Sequence, residues 1–450
     1  MSFSPAALLT TLAHIPRAPR WWVAYSGGLD SHCLLHALSD LREQLPALAA
    51  VHIDHGLNAA SEKWAAHCAS VCEALQLPCQ LLKVKVLPQH GESLEAAART
   101  ARYSAIAELM GPGDVLITAH HQDDQAETVL LQLLRGAGPR GLAAMPHVAP
   151  FYSGYLARPL LNHSRTDLRA YAEAKHLAWI EDDSNQDPRF NRNFLRHQVF
   201  PVLAERWPAV ATTLTRAATH QAETALLLES LAHQDLPTIL GPHPDTLRIN
   251  PLLALGSARA RNLLRYWLRH NGHSTPSADR LERVLTEVAG AKEDATPLLS
   301  WGDSEVRRYR DLLYLMPPLH PLPTPGWEVR WTNLDTPLQL PWGVLSAVLR
   351  TGTGLAESAL HEGVTVRLRR GGERCQCAGS AHHRPLKHLW QEAGTPPWER
   401  VRLPLLFLRG ELAAVPGIGT SHHLQAAPGE NGFEVAWQPP RGRLRDSVAR

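Results

Sequence analysis

Short apolar runs alternate with longer amphipathic ones over roughly residues 1–208. Residues 21–25, 49–53, 81–86 and 115–118 are brief and largely apolar, and they read as buried strands. Between them, residues 34–45, 60–75 and 93–110 repeat their apolar positions at helical spacing. Strand, helix, strand at this spacing predicts right-handed crossovers and a parallel sheet. In such a sheet ligands gather at the carboxyl ends of the strands.

Beyond Pro208 the pattern becomes helical. In residues 259–270, Leu263, Leu264, Trp267 and Leu268 share one helical face, while Arg261, Arg265 and Arg269 share another. Residues 317–326 are proline-rich and read as a semi-rigid linker. Farther on, 364–370 alternate like a strand, 386–393 read as a short helix, and 405–408 and 411–415 form a hairpin around Arg409-Gly410. The predicted class is α/β. It comprises an N-terminal parallel-sheet nucleotide-binding domain (1–208), a helical middle domain (209–316), a linker (317–335) and a small α+β C-terminal domain (336–450).

A chain of 450 residues accommodates two to four domains. The formal charge of +2 gives no global field for nucleic acid, so any such contact has to come from a local patch. Cys33, Cys68, Cys72, Cys79, Cys375 and Cys377 form no C-x-x-C pair, which argues against a zinc, iron–sulfur or disulfide framework and suits a reducing cytosol. The first twenty or so residues lack the charged, apolar and cleavage regions of a signal peptide. No apolar stretch is long enough to span a bilayer. The expectation is a cytoplasmic protein without a membrane partner.

The chemistry begins at Ser26-Gly27-Gly28-Leu29-Asp30-Ser31, between the first strand and a helix. Two glycines let backbone amides approach an anion, and the helix N-terminus adds partial positive charge. Ser26 and Ser31 supply hydroxyl donors, while Asp30 would repel a phosphate unless Mg²⁺ lay between them. The chain has no G-x-x-x-x-G-K-[ST], so a Walker-type nucleotide site is excluded. This loop resembles that of the N-type ATP pyrophosphatases, which cleave ATP between the α- and β-phosphates and adenylate their substrates.

Further polar runs follow the later strands. His52-Ile53-Asp54-His55 ends the second strand, where a doubly wound fold reads a base or ribose. Thr118-Ala119-His120-His121-Gln122-Asp123-Asp124-Gln125-Ala126-Glu127 ends the fourth. Asp123 and Glu127, four apart, share a helical face, and two carboxylates beside two histidines exceed what capping needs. Arg135-Gly136-Ala137-Gly138-Pro139-Arg140 suits either a phosphate contact or a solvated loop. Then come Arg158-Pro159-Leu160-Leu161, the run from Trp179 to Asp187, and Arg192-Asn193-Phe194-Leu195-Arg196. In this order, and with Pro385-Leu386-Lys387-His388-Leu389-Trp390-Gln391-Glu392 and Pro396-Pro397-Trp398 in the C-terminal part, the sequence resembles the tRNA(Ile)-lysidine synthetases.

That resemblance implies adenylation of C2 of the wobble cytidine in an isoleucine tRNA with a CAU anticodon, then attack by L-lysine with release of AMP. It implies that Ser26, Gly27, Gly28, Leu29, Asp30 and Ser31 hold ATP, with His52, Asp54 and His120 beside it. The catalytic set it implies is Asp30, Asp123, Asp124, Glu127, Arg192, Asn193 and Arg196, with Asp30 and Asp123 binding Mg²⁺ or orienting the lysine ammonium. A second copy of the chain is a further expected partner. Asn58 departs from the family, many of whose members carry Arg there. Two alternatives stay open: a tRNA thiolase of the same superfamily and a non-catalytic nucleotide-dependent tRNA-binding protein. Between residues 367 and 402, Arg367, Arg369, Arg370, Arg374, Arg384, Lys387, Arg400 and Arg402 outnumber Glu373, Glu392 and Glu399. With Trp390 and Trp398 among them, the segment suits an RNA backbone and a stacking surface, or a solvated face over core tryptophans.

Overall fold

In the computed structural model the described residues are 3–56, 60–88, 94–181, 187–292, 295–360, 363–377 and 382–439. They pack as two compact units, Met1–Leu227 and Leu228–Arg450. Asn58 and the stretch 182–186 lie outside the described residues.

The first unit runs α1 (Pro5–Leu12), β1 (Arg20–Ala24), α2 (Leu29–Asp40), β2 (Ala47–Asp54), α3 (Ser61–Ala74), β3 (Cys79–Lys83), α4 (Leu94–Leu109), β4 (Val115–Ile117) and α5 (Gln122–Leu134). A short α6 (Pro139–Leu142), β5 (Val148–Phe151), β6 (Gly154–Ala157) and α7 (Arg165–Ala174) follow. The six-stranded sheet has the order β3-β2-β1-β4-β6-β5. All neighbours are parallel except β5 and β6, which form a hairpin.

Alternation along β1 explains why the sheet is covered on both faces. Trp21, Val23 and Tyr25 enter one apolar cluster with Leu34, Leu38 and Leu168, and Trp22 enters the opposite one with Ile106 and Leu116. The buried Trp22 Nε1 donates to Asp114 Oδ2 at 3.0 Å, so this large ring leaves no polar atom stranded. Because β2 and β4 flank β1 on opposite sides, the connection reverses direction at β1. The crevice for a ligand therefore opens beyond the carboxyl ends of β1 and β4.

Two boundaries differ from the sequence reading, each for a local reason. α2 begins at Leu29, directly on the glycine turn, rather than at residue 34. β3 pairs with β2 only from Ala50↔Cys79 to Asp54↔Lys83, so it ends where its partner ends rather than at residue 86.

Past α7 the chain forms one nearly continuous helical stretch: α8 (Asn191–Phe194), a π-helical turn (Leu195–Val199) and α9 (Phe200–Arg206). α10 (Val210–Ile239) follows, and the unit boundary falls within it.

The second unit has β7 (Thr246–Arg248), α11 (Ile249–Ala254), α12 (Ser257–His270) and α13 (Ala278–Arg283), as the helical pattern predicts. Leu263, Leu264, Trp267 and Leu268 of α12 are buried, and Trp267 Nε1 donates to Pro244 O at 2.9 Å. The middle segment is not helical throughout, however. β8 (Leu298–Trp301), β9 (Ser304–Tyr309) and β10 (Leu312–Met316) join β7 in an antiparallel sheet, order β7-β10-β9-β8. Their inward positions alternate, and the turn residues Gly302 and Arg310 take positive φ, a period-two signal that the helical reading passed over.

The linker is also shorter than 317–335. Glu328–Trp331 is a strand that pairs with Val364–Arg367, and Trp331 is buried. It opens a five-stranded sheet that includes the expected hairpin Leu405–Leu408 and Glu411–Val415. A four-stranded sheet centred on Gly343–Thr351 and Asn431–Gln438 adds further strands.

Candidate active site at the carboxyl ends of β1 and β4

The glycine turn is built to hold its shape without a ligand. Gly27 has φ +85°, and a Cβ there would meet Ile180 Cδ1 at 2.8 Å, so only glycine fits. Gly27 O accepts from Ile180 N at 2.9 Å, which ties the loop to the segment preceding residue 182. Ser31 Oγ donates to Gly28 O at 3.0 Å and lies 3.0 Å from Ser26 Oγ. Among the described residues no side chain caps the N-terminus of α2, so its first-turn amides keep their partial positive charge for an incoming anion.

The second-strand residues support this loop from beneath. His52 is buried with Nδ1 2.9 Å from Tyr25 O and 3.3 Å from Cys68 Sγ, and burial pushes its imidazole down. Asp54 Oδ1 accepts from Gly56 N at 2.8 Å. Both residues are thus occupied in fixing backbone at the edge of the crevice.

At the end of β4 the structure gathers charge around a residue absent from the expected catalytic set: His121. It is the N-cap of α5, and its backbone N–H donates to Asp124 Oδ2 at 3.1 Å. Its Nε2 lies 3.6 Å from Asp30 Oδ2 and 3.4 Å from Asp124 Oδ2, and its Nδ1 lies 3.4 Å from Asp123 Oδ2. Three carboxylates therefore share one imidazole whose side chain is 2% exposed. Burial alone would lower its pKa, but the Asp124 charge and the contacts with Asp123 and Asp30 outweigh burial and raise it to about 10. The signal was available in the sequence as two adjacent histidines before Asp123, but spacing alone does not say which one turns inward.

His120 plays the opposite part. Its Nδ1 lies 2.8 Å from Thr118 Oγ1, and burial pushes it down to about 4 against the pull of Asp124, so it is neutral where His121 is charged.

The arginines from α8 and the π-helical turn complete the cluster. Arg196 donates through Nε to Glu127 Oε1 at 2.7 Å and through an Nη to Glu127 Oε2 at 3.1 Å and Asp124 Oδ1 at 3.2 Å. Burial holds Glu127 above the ordinary glutamate range despite that pairing, whereas His121 and Arg196 outweigh burial and hold Asp124 low. Arg192 donates to Thr128 Oγ1 at 3.1 Å, and Asn193 Nδ2 donates to Asp187 O at 3.0 Å. A π-helical turn in mid-helix often marks a functional site, and here it carries Arg196.

Asp30, Asp123, Asp124 and Glu127 are thus brought into one network, but in two kinds of position. Asp124 and Glu127 are committed to Arg196 and His121, with side chains 13% and 2% exposed. Asp30 and Asp123, at 31% and 42%, keep accessible carboxylate surface. Arg165, also missed by the sequence reading, closes the group: its backbone N–H donates to Asp123 Oδ2 at 2.8 Å and its Nε lies 3.9 Å from Asp30 Oδ1.

The C-terminal basic segment differs more from expectation. Trp390 and Trp398 are buried, 1% and 7% exposed, so neither offers a ring for a base to stack on. Arg367, Arg370 and Arg384 pair with Glu373, Glu328 and Glu392. Arg400 is buried against Thr395 O and Tyr309 Oη, while Arg374 and Arg402 donate to the carbonyls of His383 and His320. Lys387 is exposed, and the Arg369 guanidinium lies 5.6 Å from the Trp390 ring centre. These two are the segment's cations without a carboxylate or carbonyl partner among the described residues.

The raised His121 has a measurable signature. An unfolded histidine titrates near ~6.5, so the stabilisation from a folded value of about 10 is complete below that pH and is lost as pH rises toward 10. The histidines lowered by burial, such as His32 and His120 at about 4, act in the other direction and only below ~6.5. Between pH 7 and 8.5 the melting temperature should therefore fall with pH. In His121→Asn that slope should flatten, and an undiminished slope in a folded variant would contradict the assignment.

Comparison with known proteins adds a wider frame to this geometry. Residues 6–203 match the PP-loop domain family, 247–314 the TilS substrate binding domain and 364–437 the TilS substrate C-terminal domain. The chain is 47% identical over 430 residues to the tRNA(Ile)-lysidine synthase of Alkalilimnicola ehrlichii, covering 95% of this chain and 96% of that protein. It is 42% identical over 445 residues to the tRNA(Ile)-lysidine synthase of Coxiella burnetii, covering 98% of both. The corresponding protein of Escherichia coli O157:H7 is 44% identical over 420 residues, or 92% of this chain and 96% of that one. With similarity at this level along nearly its whole length, the chain belongs to the tRNA(Ile)-lysidine synthase family.

Proposed function

We propose that this protein uses ATP to adenylate C2 of the wobble cytidine of a CAU-anticodon isoleucine tRNA and then joins L-lysine to that carbon, releasing diphosphate and AMP. The observation that carries the reading is the placement of accessible Asp30 and Asp123 around one buried imidazole, at the mouth of an uncapped helix on a PP-loop fold. The chemistry suits the arrangement. Cytidine C2 bears an oxygen that leaves poorly, and transfer of AMP to it turns it into a good leaving group.

The phosphates lie on Gly27, Gly28 and the first-turn amides of α2, with Ser26 and Ser31 donating hydroxyls. Asp30 Oδ1 is buried and has no hydrogen-bond partner among the described residues, an arrangement that fits a divalent cation. Among the described residues no three-ligand protein cage forms. Mg²⁺ commonly binds through one or two carboxylates with phosphate and water, so Asp30 and Asp123 would hold it there. When bound, it would neutralise charge developing on the diphosphate. Asp123 also presents negative charge to the lysine ammonium. Arg192 and Asn193 border the space for the cytidine, whereas Arg196 keeps Glu127 and Asp124 compensated.

The thiolase alternative finds no reactive thiol at the crevice among the described residues. Cys68 and Cys72 are fully buried, and burial pushes the Cys68 thiol up to about 12. The non-catalytic alternative forbids turnover. Diphosphate release that requires both tRNA and lysine separates it from the enzyme, and its absence would remove the proposed function.

Asp30→Ala should lower that release by roughly 10²-fold or more, with the melting temperature close to wild type because the side chain is partly exposed. Unchanged release in the variant would overturn the placement of ATP.

For RNA binding, the ion pairs in the 367–402 segment leave Lys387 and Arg369 to meet phosphates. Replacing both with glutamate should weaken tRNA affinity and flatten its dependence on salt. Each lost phosphate contact is worth about 0.7 to 0.9 in the slope of log K against log salt, the values for single strands and duplex DNA. An unchanged slope would show the segment to be a solvated face.

A further inference from the structure

The two C-terminal cysteines, Cys375 and Cys377, lie against one another on a single short segment. Cys375 pairs in register with Arg384, and Cys377 bridges to Ser421, two positions apart on an extended segment. Their Sγ atoms nevertheless lie 2.7 Å apart, both as free thiols, closer than ordinary non-bonded sulfurs and short of the ~2.05 Å of a disulfide. The backbone around them is fastened: Gln376 O accepts from His422 N at 2.8 Å, and Leu386 N donates to Glu373 O at 3.0 Å. The pair is held together by the sheet on both sides rather than by chance rotamers.

Their surroundings are asymmetric. Cys375 is buried and Cys377 is half-buried. The hydrogen bond from Cys375 pulls the Cys377 thiol below its usual range and Arg384 adds to this, while burial opposes it. The same hydrogen bond and burial push Cys375 up. One sulfur is therefore reachable and shifted toward the thiolate, and the other is a neighbour within bonding reach shifted toward the thiol.

We propose that Cys375 and Cys377 form a peroxide-reactive dithiol site, with Cys377 as the attacking sulfur and Cys375 as the resolving one. The Cys377 thiolate attacks one oxygen of a hydroperoxide. The S–O bond forms, the O–O bond breaks, and the departing oxygen leaves as hydroxide or alkoxide and takes up a proton. Cys377 is now a sulfenic acid. Cys375 then loses its proton and attacks that sulfur. The S–S bond forms, the S–O bond breaks, and the leaving hydroxide takes that proton as water. Two thiols and one hydroperoxide yield one disulfide and water plus water or an alcohol, with two electrons passing from sulfur to the peroxide. In a reducing compartment such a bond is transient and small thiols reverse it by exchange. The site is independent of the proposed ligation reaction, because none of its atoms belongs to the β1–β4 crevice.

The test treats the full reduced chain with hydrogen peroxide at low molar excess, blocks the remaining thiols and maps them by peptide mass. The expected product is a 375–377 disulfide, two hydrogens lighter, with Cys33, Cys68 and Cys72 still blocked as thiols. In Cys375→Ser a sulfenic acid should accumulate on Cys377 and be captured by dimedone. In Cys377→Ser residue 375 should remain a thiol over the same time. A wild-type map with both sulfurs unmodified, or with a Cys72–Cys79 bond formed first, would overturn the proposal. So would equal oxidation of Cys375 in the Cys377→Ser variant.

Discussion

The first unit depends on one electrostatic arrangement: a buried imidazolium, His121, placed among Asp30, Asp123 and Asp124, with Arg196 closing the far side over Asp124 and Glu127. Carboxylates this close repel one another, and burial makes the repulsion more severe. Without the imidazolium at least one would have to take up a proton or move apart. With it, Asp30 from the glycine turn and Asp123 from the start of α5 face the same crevice. The phosphate loop and the carboxylate helix come from strands on either side of the switch point, and His121 is the group that joins them.

This division changes how substitutions at the site should be read. Arg196 is expected from the family pattern to be catalytic, yet in the fold it is bidentate to a Glu127 that is 2% exposed. Removing one partner of a buried pair destabilises by about 3–5 kcal/mol, because the other charge stays buried and uncompensated. Activity lost in Arg196→Ala would therefore not by itself make Arg196 a catalytic residue. Asp30 is a cleaner probe, since it is more accessible and has an oxygen without a hydrogen-bond partner.

Much of the catalytic unit was legible in the sequence because its local signals agree with one another. A short apolar run, two glycines and a following helix fix the phosphate loop, and the order of strands fixes the end of the sheet at which it lies. The histidine pair was legible only as a pair. Which ring turns inward depends on the capping geometry of α5, where His121 is the N-cap and His120 turns to Thr118. The C-terminal basic segment misled for a different reason. Composition counts charges but not partners, and Glu328, which lies far away in sequence, neutralises Arg370 only after Glu328–Trp331 pairs with Val364–Arg367. The tryptophans there were equally ambiguous, since burial rather than residue type decides whether a ring can stack on a base.

The strands at 298–316 are hard to read from sequence because three short alternating runs follow a strongly helical stretch, and of their two turns only the first carries a glycine, Gly302. The central claim concerns chemistry rather than fold, and the product itself tests it most directly. An isoleucine tRNA transcript with a CAU anticodon, incubated with the protein, ATP and L-lysine, can be digested to nucleosides and weighed. The wobble cytidine should gain one lysine and lose one water, with AMP formed in equal amount and no change when lysine is omitted. An unmodified cytidine, or a nucleoside that has gained sulfur instead, would contradict the claim.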